Sequence, residues 1–253
     1  MILVVGCGFV GGTVADSLEE HDIKVVRIDP KLNDNKIEDF LDEAEGAVVA
    51  VPTPTRDGIC DDSFIRTVLD ELGTEIPIML KCTVPPNMLE TYPSNVTYNP
   101  EFLRQATAKE DFDLQTQFIL GGTSEGCSFW AKTFSYMNYN KANNPVAFKF
   151  LDRNTASMVK YMHNCWLATK VAFFHEVYDN LRDKDYNYQN MIAILSQFEN
   201  IGPSHMYPGN DDGKLGFGGA CFPKDTEAFY DFSRSTILKQ VIETNKILNN
   251  TTK

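Results

Sequence analysis

The sequence predicts an α/β protein, a doubly wound parallel sheet over residues 1–150 followed by an all-helical domain over residues 151–253. Three observations lead there. Short apolar runs alternate with helical patterns through the first half of the chain. A glycine-rich turn separates the first run from the first helix. From Val146 to Ile201 there is neither glycine nor proline, and Thr155 to Leu181 is apolar on more than one face.

Met1 to Val5 is apolar and β-branched, as a strand buried on both faces should be. Gly6-Cys7-Gly8-Phe9-Val10-Gly11 follows at once, then a helical pattern from Gly12 to Glu20 and a second strand from Ile23 to Ile28 that ends at Asp29. GxGxxG between strand and helix, with an acid at the tip of the next strand, is the Rossmann-type dinucleotide fingerprint. The glycines admit a pyrophosphate to the helix N-terminus, where free N–H groups and the dipole favour negative charge. Asp29 then meets the adenosine ribose and repels a 2′-phosphate, so the expected cofactor is NAD, not NADP.

Further strands are expected at 46–51, 76–80, 96–98 and 118–120, with a helix over 62–72. Ligands of open α/β sheets lie beyond the carboxyl ends of the strands, which places Thr53, Thr55, Thr83 and Glu101 on the ligand edge. In the second half, Asn154 or Asp152 is the expected N-cap of the long helix. Lys160 and Asn164 share one of its faces. A buried ammonium needs a partner, and a substrate oxyanion would serve; the plainer reading is a lysine reaching water from the helix edge. His163 and His175 read as packing or surface histidines. Helices are also expected at 189–198, 226–232 and 236–248, and the tail 249–253 as frayed. The loop 202–216 delivers Gly216-Phe217-Gly218-Gly219-Ala220-Cys221-Phe222-Pro223-Lys224-Asp225. A thiol beside backbone donors and a lysine sits where a thiolate is stabilised, so Cys221 is a candidate nucleophile. The alternative is a tight turn around a small buried thiol.

The balance of 23 basic and 35 acidic residues, formally −12, argues against nucleic acid or an anionic membrane as partner. Six scattered cysteines without a CxxC pair read as reduced thiols of a cytoplasmic protein, not as a disulfide framework or zinc site. No two histidines have metal-ligand spacing. The apolar start lacks a basic leader region, and no uncharged stretch is long enough to span a bilayer.

GCGFVG at 6–11, KCTVPP at 81–86, NPEFLR at 99–104, KYMHN at 160–164 and GFGGACFPKD at 216–225 occur in one order. With these motifs the sequence resembles the UDP-glucose/GDP-mannose dehydrogenase family. The resemblance implies two successive NAD-linked oxidations, taking a nucleotide sugar's C6 alcohol through an aldehyde to a carboxylate. It assigns Cys221 the role of covalent nucleophile and gives Lys160 and Asn164 the developing oxyanion. Asp225, Thr83 and Glu101 would position or deprotonate alcohol or water. Glu101, Phe102, Leu103, Lys160, Asn164, Phe217 and Gly218 would meet the sugar nucleotide. Val51, Thr53, Thr55, Thr83, Gln105 and Lys224 would surround the cofactor. It also implies a homodimer, consistent with the apolar surface of the helices over 155–181 and 236–248.

Three departures stand out. Gln105 replaces a usual glutamate, and Asn200 replaces an arginine that commonly reaches a neighbouring subunit's substrate. The chain also ends in the helix that would lead to a third, nucleotide-binding domain, so the loop 202–216 or another chain would have to make up the nucleotide grip. Leu167 stands where the GDP-mannose enzymes tend to carry histidine, which tilts the expected substrate to UDP-glucose. Two rival readings are a one-step β-hydroxyacid-type dehydrogenase, which needs no cysteine, and a non-catalytic NAD-binding remnant.

Overall fold

The computed structural model describes residues 1–56, 58–138, 145–208 and 214–251. The chain divides into two compact units, the first made of Met1–Arg56 and Cys60–Lys160, the second chiefly of Tyr161–Lys253. Strands are β1 (Ile2–Val5), β2 (Val25–Ile28), β3 (Gly46–Val49), β4 (Thr55–Arg56), β5 (Ile59–Cys60), β6 (Ile78–Leu80), β7 (Val96–Tyr98), β8 (Gln117–Gly121) and β9 (Ala147–Leu151). Helices are α1 (Phe9–Glu19), α2 (Ser63–Leu72), α3 (Pro86–Leu89), α4 (Ala108–Leu114), α5 (Ser124–Thr133), α6 (Arg153–Leu181), α7 (Tyr188–Leu195), α8 (Phe222–Ser233) and α9 (Thr236–Asn250).

The main sheet of the first unit has the order β2-β1-β3-β6-β7-β8-β9. All of its pairs are parallel except β7 with β8. The central strands are buried on both faces, which is why they read as unbroken apolar runs. From β1 the chain goes to β2 on one side and returns to β3 on the other, so the order reverses at β1 and β3, where an open α/β sheet leaves its crevice. An aromatic group of Phe112, Phe118, Trp130 and Phe134 fills the core on one side, beneath Val14 and Leu18 of α1.

Two parts of this unit depart from the sequence reading. Residues 147–151 form β9, parallel to β8 in the register Gln117↔Ala147, although this stretch showed no strand signal. It lies at the sheet edge with Lys149 and Phe150 exposed, so it lacks the apolar run of a central strand. Helices α4 and α5 were also not anticipated. They are short, and α5 is fixed by Thr123, whose side chain accepts from Gly126 N.

At the start of α6, Asp152 is the cap. Its carboxylate accepts from Thr155 N (2.8 Å) and Thr155 Oγ1 (2.6 Å). These two bonds hold the Asp152 carboxyl below its usual pKa. The stability they give is complete above the unfolded value and is lost as pH falls through the folded one. Urea unfolding should show Asp152→Ala less stable by about 1 kcal/mol near neutrality, the difference shrinking below about pH 3.9.

The second unit contains the rest of α6 with α7, α8 and α9. Ala168, Val171 and Ala172 of α6 pack with Phe217 and with Val241 of α9. A second cluster joins Phe174, Tyr188, Ile192 and Met206. Within the loop 202–216 and the tail, positions 209–213 and 252–253 lie outside the described residues. No helix of the described residues is long and apolar enough to cross a membrane.

Candidate active site

In the first unit, Gly6 takes φ +84°, and a Cβ there would lie 2.6 Å from Ala50 O just after β3. Gly11 faces the same constraint more severely, since its Cβ would lie 1.9 Å from Gly6 O. Gly8 differs: nothing lies within 4 Å of the space a side chain would take, and it caps α1 without a side chain. The turn is therefore closed by its outer glycines and open at the middle one, with a helix N-terminus behind it. Phe9 is partly exposed and Val10 half-buried at the start of that helix. Asp29 braces the turn, accepting from Cys7 N (2.8 Å) and from Lys31 N (2.9 Å). An open anion cradle beside a fixed carboxylate fits a dinucleotide's pyrophosphate and ribose.

Past the ends of β3 and β6, Val51 is half-buried and Thr53 is buried, with Oγ1 donating to Thr83 O (3.1 Å). Thr83 is half-buried, Thr55 opens β4, and Gln105 is exposed in a short 3₁₀ turn. Sequence reasoning gave no role to Lys81, yet it organises the neighbouring site. Its side chain is 2% exposed, and Nζ lies 2.8 Å from Glu101 Oε2 and 2.5 Å from Asn99 Oδ1. Asn99 in turn donates to Ile119 O (2.6 Å). The other carboxylate oxygen of Glu101 accepts from Phe102 N (2.8 Å) and Leu103 N (3.0 Å). Glu101 is thus gripped at both oxygens, the arrangement of a group that orients others rather than one that swings. Lys160 is buried on α6, donates to Glu101 O, and has its Nζ 5.2 Å from the Phe102 ring.

The six thiols of the chain sort by exposure, and two of them, Cys165 and Cys221, lie in the second unit. Cys221 is exposed and stands at the N-terminus of α8, with its thiol capping nothing. Cys165 is buried, and burial with the nearby Asp225 charge pushes its pKa up to about 12. Burial likewise raises Cys7 and Cys127 of the first unit. Reactivity follows thiolate character and access, so the exposed residue is the one suited to attack.

One turn into α8, Asp225 is 1% exposed and its N–H donates to Cys221 O (2.8 Å). Its carboxylate takes Asn164 Nδ2 at 2.6 Å and Lys224 Nζ at 2.7 Å. His163 Nδ1 lies 2.9 Å from Asn164 Oδ1. With its amide NH₂ turned to Asp225, that oxygen must accept, so His163 carries its hydrogen on Nδ1. Phe217 contributes main chain only, because its ring is 4% exposed in the α6–α9 core. Gly218 is exposed with open space around it. The structure thus brings Cys221, Asn164, Lys224 and Asp225 into one cluster, and Thr53, Thr83, Glu101, Phe102 and Leu103 to the strand ends of the other unit, where Lys160 of α6 donates to Glu101 O. Lys81 and Asn99 were missed. Their one signal was a lysine inside an otherwise buried run, at the start of KCTVPP.

The first unit is thus a Rossmann-like α/β sheet with an open glycine turn at its point of reversal, and the second is a helical unit that presents an exposed thiol. Residues 154–250 match the model of the UDP-glucose/GDP-mannose dehydrogenase family, central domain. A UDP-glucose 6-dehydrogenase of Campylobacter jejuni is 30% identical over 230 residues, covering 84% of this chain and 56% of that protein. Among solved structures, a UDP-glucose dehydrogenase from Pyrobaculum islandicum superposes with TM-score 0.80 at 24% identity, over 97% of this chain and 68% of that one. A 3-hydroxyisobutyrate dehydrogenase from Mycobacterium tuberculosis gives TM-score 0.73 at 14% identity, over 98% and 94%. At these identities the structures speak for the fold. Over residues 154–250 the chain is similar to the central domain of the UDP-glucose/GDP-mannose dehydrogenase family, whose dehydrogenases use NAD. It spans about half the length of the curated relatives it matches.

Proposed function

We propose that this chain oxidises the C6 alcohol of a nucleotide sugar to the carboxylate with NAD, UDP-glucose to UDP-glucuronate being the substrate and product. The observation that carries the reading is the exposed Cys221 at the start of α8, with the carboxylate of Asp225 fixed one turn on by Asn164 and Lys224. A one-step dehydrogenase of the β-hydroxyacid kind has no use for such a thiol. NAD, when bound, accepts one hydride in each of the two oxidations. Gly6, Gly8, Phe9, Val10 and Gly11 hold its pyrophosphate and Asp29 its ribose; Val51, Thr53, Thr55, Thr83, Gln105 and Lys224 surround the rest.

Cys221 acts on the aldehyde left by the first oxidation. Its thiol loses its proton to solvent as the sulfur bonds to the carbonyl carbon, and the oxygen becomes an alkoxide stabilised by Lys160 and Asn164, which lie one turn apart on α6. Loss of hydride from that carbon restores the C=O as a thioester. Water then adds, the C–S bond breaks, and carboxylate and free thiol are released. Per sugar this consumes two NAD and one water. Asp225 and Thr83 position the alcohol and the water, and Glu101, clamped by Lys81, fixes Phe102 and Leu103 against the sugar nucleotide. Turnover by the purified protein of UDP-glucose, UDP-N-acetyl sugars and GDP-mannose tests the substrate. UDP-glucose should be oxidised fastest, and preference for another sugar nucleotide would replace that assignment.

Two expectations accompany the reading. NAD should bind far better than NADP, and Asp29→Ala should lose about 1.5–3 kcal/mol per ribose hydrogen bond in an NAD titration. Equal binding of both cofactors by the unaltered protein would remove Asp29 from this role. We also propose a homodimer. Met162, Trp166 and Phe173 are each more than half exposed and fall on one face of α6. Sedimentation at micromolar concentration should give a dimer that Trp166→Glu dissociates. A monomer in the unaltered protein would contradict it.

A further inference from the structure

His175, which the sequence suggested to be a packing or surface residue, lies on α6 and is 3% exposed with both ring nitrogens engaged. Gly216 N–H donates to Nδ1 (2.9 Å), and Nε2 lies 3.1 Å from Tyr207 O. A backbone N–H can only donate, so Nδ1 is the bare nitrogen and Nε2 carries the hydrogen toward Tyr207 O. The ring therefore ties two separate points of the main chain, and the second opens the glycine-rich stretch that leads to Cys221. That stretch is fixed tightly where it begins. Gly216 has φ +83°, and a Cβ there would lie 2.5 Å from Asn245 Oδ1. Phe217 N donates to Asn245 Oδ1 (2.6 Å), while Asn245 and Asn249 donate to Phe217 O (3.0 and 3.3 Å). Of the three side chains that hold Gly216 and Phe217, His175 alone titrates near neutral pH.

We infer that His175, in its neutral Nε2–H tautomer, is a positioning residue for Cys221: it sets the main chain that presents the thiol, and protonation at Nδ1 releases that chain. This rests on the reading of Cys221 as nucleophile. An imidazolium would turn two N–H donors outward and set one of them against the Gly216 N–H. Among the described residues lining its cavity, no carboxylate offsets the added charge. His205, Tyr207 and Lys214 of the preceding segment share that cavity with His175, where α9 brings Asn249 and α8 brings Phe222. On α6 itself, Lys170 is buried and donates to Ile201 O and Gly202 O (2.6 and 3.1 Å). Burial lowers the His175 pKa, opposed by the bond to Tyr207 O. The unfolded chain therefore takes up this proton first. The contribution is complete above the unfolded value, about 6.5, and is lost as pH falls below it.

The test compares the full chain with His175→Gln and His175→Phe over about pH 5 to 8. Glutamine keeps an acceptor and a donor but does not titrate; phenylalanine fills space and keeps neither. Three quantities are read: the ¹⁵N imidazole spectrum, exchange of the Gly216 amide, and the rates of Cys221 alkylation by iodoacetamide and of sugar turnover. The unaltered protein should show the Nε2–H tautomer and a protected Gly216 amide. The ratio of its rates to those of His175→Gln should fall on the acid side. His175→Phe should expose the amide and slow turnover roughly tenfold or more. If that variant does not fold, the pH dependence of the Gln ratio decides. A ratio flat with pH, the other tautomer, or a Gly216 amide still protected in His175→Phe would overturn the inference. Absence of turnover in the unaltered protein would instead defeat the proposed reaction, with the spectrum and the amide still deciding for His175.

Discussion

Cys221→Ser should abolish the second oxidation while leaving the fold and the first oxidation largely intact. Serine keeps the size of the residue, and the bond from Asp225 N to Cys221 O is made by main chain, so the start of α8 is preserved. The thiol caps nothing and is exposed, so no packing is lost with it. What changes is chemistry. A hydroxyl is a poor nucleophile at neutral pH, and an ester is a poorer acyl donor to water than a thioester, so the second step should fall by orders of magnitude. Aldehyde or ester should accumulate, detectable with a carbonyl-trapping reagent or as a mass increase on the protein. Unchanged NAD binding would separate this result from a folding defect.

Lys81→Met should have the largest effect on stability. Lys81 and Glu101 face each other at 2.8 Å with side chains 2% and 12% exposed, which leaves little water to take over if one is removed. Breaking a buried pair strands the other charge, at a cost of about 3–5 kcal/mol. Methionine fits the apolar neighbourhood of Phe112 and Phe118, each about 6 Å from the ammonium, so the loss falls mainly on Glu101. Pairing Lys81→Met with Glu101→Gln should recover a substantial part of it, because the stranded charge is then gone. Denaturant unfolding of the two single variants and the double variant measures this. Additive losses would mean that the pair is not coupled.

Much of the fold was legible because burial leaves a direct imprint on composition. Ile2–Val5, Gly46–Val49 and Ile78–Leu80 lie between layers and so must be apolar at every position. The glycine turn was legible because Gly6 and Gly11 have no room for a side chain. β9 was not, because one exposed face and an edge position remove the imprint. The site divides the same way. Cys221, Asp225, Lys160 and Asn164 sit in motifs whose local spacing is itself the geometry, one helical turn in each pair. Lys81 with Glu101, His175 with Gly216, and Asn245 with Phe217 are bonds across 20, 41 and 28 positions. Such pairs have no period, and each member alone reads as an ordinary polar residue. Even Glu101 was placed on the ligand edge without any sign that both its oxygens were already engaged.

The central claim is that one site completes both oxidations through a thioester on Cys221, and the count of NADH released per sugar consumed tests it most directly. With limiting UDP-glucose and excess NAD, the account predicts two NADH per sugar with no free aldehyde captured by a trapping reagent. One NADH per sugar with aldehyde released, or two NADH per sugar from Cys221→Ala at the rate of the unaltered protein, would contradict it.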